Sequence, residues 1–488
     1  MWSARAAYCS LNVHFATERG WTMRFAWALS LLFPAATAAQ TATPVPRVNP
    51  SGPALIFDFP GMRIGVAEYD EGPTGTTVFH FPGKVVGVVD VRGGTPGTIF
   101  TDALRVGNRD RRLDGVVFSG GAAYGLAAAT GAAAALKPQR VRDGQWRSSA
   151  WFTGAIIYDI AARRLSTVTP DEALGMAALN AAVEGRFLQG PRGAGRSAMQ
   201  GYFFTDAFTD STVRLRNWPH SGQGGAFRQI GATKIAVFTV VNAIGAVVDR
   251  RGRLVRCSYA PSAEDCGTVE QALARRLPQL DASAPRDDAR SGTDAESSDL
   301  TSNTTITLVV TNQKLEVQEL QRLAIQVHGS MARGIQPYST TEDGDALFAV
   351  TTAEVDNPSL SAMELSTIAS EIAWDAILAS VPPPDPVRPT TRIRVSPSDL
   401  DAVVGTYEFP SGARVDVSRK GEQLRTTLTG SGGMFFAEGG NALVPVAPRE
   451  FLIDGPRNDR VLFEERRGQV VTMTLNPGQW AQLAKRVP

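Results

Sequence analysis

The chain has 488 residues, 43% hydrophobic and 20% charged, enough to bury a sizeable core across two or three domains. Lys+Arg 49 against Asp+Glu 48 leaves a net charge of +1, which argues against a basic nucleic-acid face and against a general polyanion partner. Gly 47 suits an α/β protein rich in tight turns better than a helical bundle.

Residues 1–39 read as a leader. From Met23 a single cation, Arg24, precedes the apolar run Phe25–Phe33 and then the small residues Ala35–Ala39. That order makes residues 23–39 a Sec-type signal peptide cleaved near Ala38 or Ala39, with Met23 the start and 1–22 an upstream extension. The run is short for a bilayer anchor, the competing reading. The expected location is therefore the periplasm or the exterior of a bacterium. Removing the leader leaves Cys257 and Cys266. They are a candidate disulfide in an oxidising compartment, and two free surface thiols fit the same spacing.

After a Pro/Thr-rich lead-in over 40–52, apolar strands, Gly-rich turns and Ala-rich helices alternate to about residue 275. Strands are expected at 85–91 and 115–118, each running into a Gly-rich turn. The stretch 281–303 is almost entirely small and polar, a mobile linker. It delivers the chain directly into Thr304–Thr311, a β-branched run typical of a buried strand. Val317, Leu320, Leu323, Ala324 and Val327 then fall at helical spacing, with Asn312 a candidate cap, and Leu365, Ile368, Ile372 and Ala376 mark a second helix. Residues 382–390 are a Pro-rich spacer. Over 391–488 short alternating segments predict a small antiparallel β-barrel-like accessory domain, with Phe435, Phe436, Phe451 and Phe463 in its core.

Three Gly-rich loops stand out: Asp90–Thr98, Ser119–Leu126 and Gly190–Arg196. None continues as a P-loop or a dinucleotide fingerprint, and the two cysteines make no metal site, so neither cofactor nor metal is expected. No Gly-x-Ser-x-Gly elbow occurs, and only His80, His220 and His328 remain after the leader. His328 sits on a helix as an ordinary face residue. A hydrolase without a histidine base can use the α-amine of its own first residue, which titrates near neutrality. Exposing such an amine requires a cut immediately before a Thr or Ser, and Asn303–Thr304 lies at the linker-to-strand junction.

Seven segments, two of these loops among them, occur in an order that resembles one family. They are Gly61–Gly65, Asp90–Thr98 with Thr101-Asp102, Ser119–Leu126, Gly154–Asp159, Val240–Gly245, Asn303–Ile306 and Asp343-Gly344-Asp345. Over roughly 55–380 the chain resembles the self-processing peptidases that include L-aminopeptidase/D-esterase, the β-peptidyl aminopeptidases and the nylon-oligomer (6-aminohexanoate-oligomer) hydrolases. The resemblance implies a four-layer αββα sandwich of the N-terminal-nucleophile-hydrolase kind, cut into an α part (40–303) and a β part (304–381). It implies Thr304 as the nucleophile freed from Asn303, and Asn242 as an oxyanion donor. Asp343 and Asp345 would orient the Thr304 amine and hydroxyl, while Tyr124, with Gly120 and Gly121, would line the substrate site. Read without the family, Asp343-Gly344-Asp345 is a hairpin turn and Asn242 a strand-end turn residue; Thr305 competes as nucleophile.

The chain departs from the family where a lysine in Lys-Gly-Gly is usual: here the segment is His220–Ala226, with His220, Gln223 or Arg228 available for that space. Val404–Glu408, with the β-rich segment after it, looks like the lipocalin-like domain appended to exported bacterial hydrolases. The expected function is an exported, self-cleaving aminopeptidase acting on small peptides, amides or esters through an acyl-Thr304 intermediate. The alternatives are a nylon-oligomer-type endo-amidase and an unprocessed binding protein that kept only the fold. A homo-oligomer of cleaved α/β heterodimers is expected, with no nucleic-acid partner and no membrane span once the leader is gone.

Overall fold

A strand that is apolar at nearly every position must be covered on both faces, and that requirement sets the layering here. The computed structural model describes residues 43–108, 112–160, 165–204, 219–257, 263–282, 303–383, 391–430, 435–437, 439–455, 459–478 and 480–488. The segment 23–39 expected to be a signal peptide, nearly all of the expected 281–303 linker and most of the expected 382–390 spacer lie outside the described residues. All of the elements named here belong to one body from Pro44 to Pro488.

Strands β1 (Arg63–Tyr69), β2 (Thr74–Val91), β3 (Arg112–Ser119) and β4 (Phe152–Ile156) are followed by β5 (Gln223–Ile230) and β6 (Thr233–Asn242). Then come β7 (Thr304–Gln313) and β8 (Ala346–Val355). The hydrogen-bonded order is β5-β6-β7-β8-β2-β3-β4, with β1 also on β2. The long β2 joins the two layers into which this continuous sheet folds. Its first half pairs with β1 and β3, its register shifts between His80 and Val85, and Val86–Val91 pair with β8.

Side-chain alternation along each strand shows what covers its faces. Ile306, Leu308 and Val310 of β7 and Ala346, Phe348 and Val350 of β8 share a central core with Phe79, Phe118 and Phe238. The intervening Val309, Leu347 and Ala349 pack beneath helices α4 (Val317–Ser330) and α5 (Ala362–Ala379). On the other sheet Val116 and Phe118 face the central core, and Val117 packs with Ala128 of α1 (Ala127–Arg142) and Leu174 of α2 (Glu172–Asn180). With α3 (Val269–Ala282) peripheral, the layers run helix, sheet, sheet, helix: the expected four-layer sandwich.

Two boundaries differ from expectation. Asn312 caps nothing: it lies inside β7, and its Oδ1 accepts the Lys234 N–H at 2.7 Å. α4 starts at Val317 behind Glu316, whose N–H donates to Glu319 Oε2 at 2.9 Å, because that side chain reaches the first turn and Asn312 does not. Residues 281–282 close α3 rather than open the linker, and Asn303 is already bridged to Asp343.

The C-terminal strands β9 (Gly405–Glu408), β10 (Arg414–Lys420), β11 (Gln423–Thr429), β12 (Asn441–Ala447), β13 (Glu450–Ile453), β14 (Arg460–Arg466), β15 (Gln469–Leu475) and β16 (Gln482–Val487) form a closed antiparallel barrel. Closure runs through β9 and β16, with Thr406 opposite Val487. Phe435, Phe436, Phe451 and Phe463 are buried in its interior with Tyr407 and Met473, so side chains fill the lumen. Cys257 and Cys266 are joined as a disulfide, with Cα atoms 5.8 Å apart.

Candidate active site

Thr304 opens β7 in the middle of the sheet, opposite Asn242 at the end of antiparallel β6. On the other side β7 runs parallel to β8, so the turn Glu342–Asp345 that leads into β8 comes up beside the residue preceding β7. Asn303 N–H donates to Glu342 O at 3.3 Å, and Gly344 N–H donates to Asn303 O at 2.8 Å. The same carbonyl oxygen accepts the Thr304 hydroxyl at 2.5 Å. A hydroxyl and a backbone N–H thus converge on one peptide carbonyl, the one joining Asn303 to Thr304. Asn303 and Thr304 are 1% and 2% exposed, so the junction is buried.

The two carboxylates flank this junction. Asp345 Oδ1 accepts the Thr305 N–H at 2.6 Å and its Oδ2 the Ser339 N–H at 3.0 Å. Asp343 Oδ1 accepts the Ile244 N–H at 3.3 Å, and its Oδ2 the Thr340 hydroxyl at 2.8 Å. Burial lifts both carboxyls above the usual range, and Asp345 rises further because it is the more deeply buried and, second, because the Asp343 charge sits beside it. In this geometry they fix the strand entry and the turn around Thr304.

Asn242 is wholly buried. Its Oδ1 accepts the Met199 N–H at 3.1 Å, and its Nδ2 donates to Tyr158 O at 2.9 Å and to Asn303 Oδ1 at 3.4 Å. It therefore holds the Asn303 side chain, while the donor on the Asn303 carbonyl is Gly344 N–H. The sequence does not single out that donor, although a glycine between two acidic residues is its signal. A Cβ there would lie 2.7 Å from Thr304 Oγ1 and 2.6 Å from Thr95 O, so only glycine lets the turn approach this closely.

The remaining candidates lie apart from these contacts. Tyr124 is 69% exposed on the short helix after β3. Gly120 N–H donates to Gly75 O and Gly121 N–H to Asp159 Oδ1, so both amides are used within the fold rather than offered to a ligand. Of the groups weighed for the lysine's place, Gln223 bonds Thr77 and Leu188, and Arg228 faces Asp375 at the surface. His220 is half-buried, its ring stacked on Trp480. His328 is no ordinary face residue: it is fully buried, with Nδ1 3.0 Å from Asp90 Oδ2. Among the described residues no three His, Cys, Asp or Glu side chains are grouped to hold a metal ion.

Residues 54–383 match peptidase family S58. The chain belongs to that family. The 6-aminohexanoate-oligomer endohydrolase of Paenarthrobacter ureafaciens is 41% identical over 338 residues, 66% of this chain and 85% of that protein. The protein of the same description from a Kocuria species is 38% identical over 348 residues, 68% of this chain and 88% of that one. Among solved structures, a Burkholderia β-aminopeptidase aligns at 15% identity and a TM-score of 0.43, over 66% of this chain and 84% of its own. This S58 chain is a hydrolase of the peptidase and amidase kind. Its match ends before the barrel begins.

Proposed function

We propose that this S58 hydrolase is exported, cuts itself between Asn303 and Thr304, and then uses Thr304 as an N-terminal nucleophile on amides. The observation that carries this reading is the Asn303 carbonyl, held by Gly344 N–H and touched by the Thr304 hydroxyl. The Thr304 Oγ attacks that carbonyl carbon, with negative charge developing on the oxygen where Gly344 N–H already points. Collapse breaks the C–N bond, the hydroxyl proton goes to the departing Thr304 nitrogen, and an ester replaces the amide. Water then hydrolyses the ester, leaving Asn303 with a carboxylate and Thr304 with a free amine. In turnover that amine takes the Thr304 hydroxyl proton as Oγ attacks the substrate and returns it to the leaving amine, and water then hydrolyses the acyl-Thr304 ester, releasing the acid and restoring the hydroxyl.

Asn303 fills the acyl position until it is released. Its withdrawal frees Gly344 N–H for a substrate carbonyl and Asn242 Nδ2 for a second polar group. The carboxylates beside Thr304 are buried and engaged by chain amides, which leaves them poorly placed to pair with a substrate ammonium. That favours an endo-acting amidase on small oligoamides over an aminopeptidase, and the 38–41% identity to two oligomer endohydrolases agrees. The export reading rests on the leader sequence and is supported by the closed Cys257–Cys266 disulfide.

Intact mass and N-terminal sequencing test the first half. The expected result is a fragment beginning Thr-Thr-Ile-Thr that is missing from Thr304→Ala; a wild-type chain that stays whole defeats the reading. Comparing one amide with its N-acetylated form tests the second half. Similar rates are expected, and activity confined to the free amine would return the assignment to an aminopeptidase.

A further inference from the structure

The C-terminal barrel lies outside the family match, yet its docking reaches the site. Two of the places where it meets the sandwich bear on the site. Leu165, nine residues beyond the end of β4 at Ile156, is buried in the barrel's own core, and Ser411 N–H donates to Leu165 O at 3.2 Å. At the second place the Trp480 indole lies flat on the His220 imidazole, ring centroids 3.4 Å apart and planes 13° from parallel.

His220 belongs to a pair of short segments packed over the end of β6. It bridges Met199 in antiparallel fashion, Gln200 N–H donates to Pro219 O at 3.0 Å, and Ser221 N–H donates to Ala198 O at 3.1 Å. Ser221 Oγ donates to Val241 O at 2.5 Å. Between these bonds Met199 N–H donates to Asn242 Oδ1. Because that donor claims the oxygen, the Asn242 amide is turned with Nδ2 toward Tyr158 O and Asn303 Oδ1. An unbroken series of contacts runs from the barrel through His220 and Met199 to the amide beside the junction.

We infer that Trp480 and His220 are positioning residues for Asn242: the barrel clamps His220, His220 fixes Met199, and Met199 N–H sets the Asn242 amide. This rests on the proposed roles of Thr304 and Asn242. Burial, with Arg256 nearby, holds His220 well below its usual pKa, so the ring stacks as neutral imidazole and acts through its shape. The appended domain is therefore part of the working enzyme, supplying a wall that holds the site's amide still.

The test uses the full chain. Self-cleavage is followed on gels after in vitro translation for wild type, Trp480→Ala, Trp480→Phe and Leu165→Ala, with melting curves for each and kcat and KM on a p-nitroanilide amide for the processed proteins. Trp480→Ala is expected to slow cleavage and lower kcat by about tenfold or more while KM stays within about twofold. Trp480→Phe, which can still stack, is expected to recover most of both. Leu165→Ala loosens the docking away from His220 and is expected to lower the melting temperature with a much smaller effect on cleavage. Wild-type rates in Trp480→Ala overturn the inference, as do a change confined to KM, a Phe variant no better than Ala, or an equal loss in Leu165→Ala. If Trp480→Ala does not fold, Trp480→Leu replaces it: Leu at the Phe rate overturns the inference and Leu slower than Phe sustains it. Failure of wild type to cleave at all defeats the proposed function instead, which keeps the two outcomes apart.

Discussion

At Gly344 a single missing Cβ decides whether the junction can close. Its N–H is the donor on the Asn303 carbonyl, and a methyl group there would press on Thr304 Oγ1 and Thr95 O together. The Thr95 backbone cannot yield as a side-chain tip can, so Gly344→Ala is expected to displace Thr304 Oγ1 and slow the proposed self-cleavage by ~10²-fold. A gel time course checks this, and cleavage at the wild-type rate would remove Gly344 N–H from the mechanism. The carboxylates beside it carry a pH dependence. Both have pKa values raised above the unfolded range, so the folded state binds more protons than the unfolded one between those limits. Their stabilising contribution is present below the ordinary carboxylate pKa and is lost as pH rises through the raised values. Asp343→Asn removes the like charge from Asp345. The variant's melting temperature relative to wild type is therefore expected to increase from about pH 4.5 to about pH 7.5. A gap that shrinks with pH would reverse the sign.

At the scale of elements, α5 lies directly on β5. A Cβ on Gly224 would stand 2.0 Å from Ala376 O and 2.5 Å from Ser380 N, both helix backbone. Gly224→Ala must push α5 outward and is expected to cost about 1–3 kcal/mol, read as a lower urea midpoint at unchanged slope. An unchanged midpoint would mean that the helix rides free of the sheet. The same elements mark what sequence could and could not disclose. A β-branched run after a polar linker exposed β7 and the Asn303–Thr304 junction, because strand burial writes itself as local composition. The period-2 alternation of 413–417 exposed the barrel for the same reason. The helix start at Glu316 was misplaced because Asn312 looks like a cap whether or not a strand has claimed it. Met199 N–H, Leu165 and Trp480 left no local signal at all. Met199 and Leu165 bond partners 43 and 317 positions away, and Trp480 acts through a ring contact made only after folding.

For the whole molecule, the disulfide and the proposed cut raise two separate questions, because the Cys257–Cys266 bridge lies wholly on the N-terminal side of Asn303 and cannot join the two parts. Closing the short loop between Cys257 and Cys266 should contribute about 2–3 kcal/mol by restricting the unfolded chain. The Cys257→Ser/Cys266→Ser pair is thus expected to unfold at lower denaturant, and an unchanged midpoint would assign the bridge no stabilising role. The proposed cleavage after Asn303 would remove a covalent link but hardly any of the fold. The new chain would begin with β7, paired with β6 from Asn242 opposite Thr304 through Ile235 opposite Thr311. Its second strand, β8, pairs with β2, so the β7–β8 pair is held on both sides by strands of the other chain. The apolar faces of this pair are shared between the central core and α4 and α5, which no solvent-exposed alternative could satisfy. The two chains are therefore expected to migrate as one species in native size exclusion and as two bands only after denaturation. Dilution to nanomolar protein should leave the native peak intact; two native peaks would show that the peptide bond, and not the sheet, had been holding β7 in place.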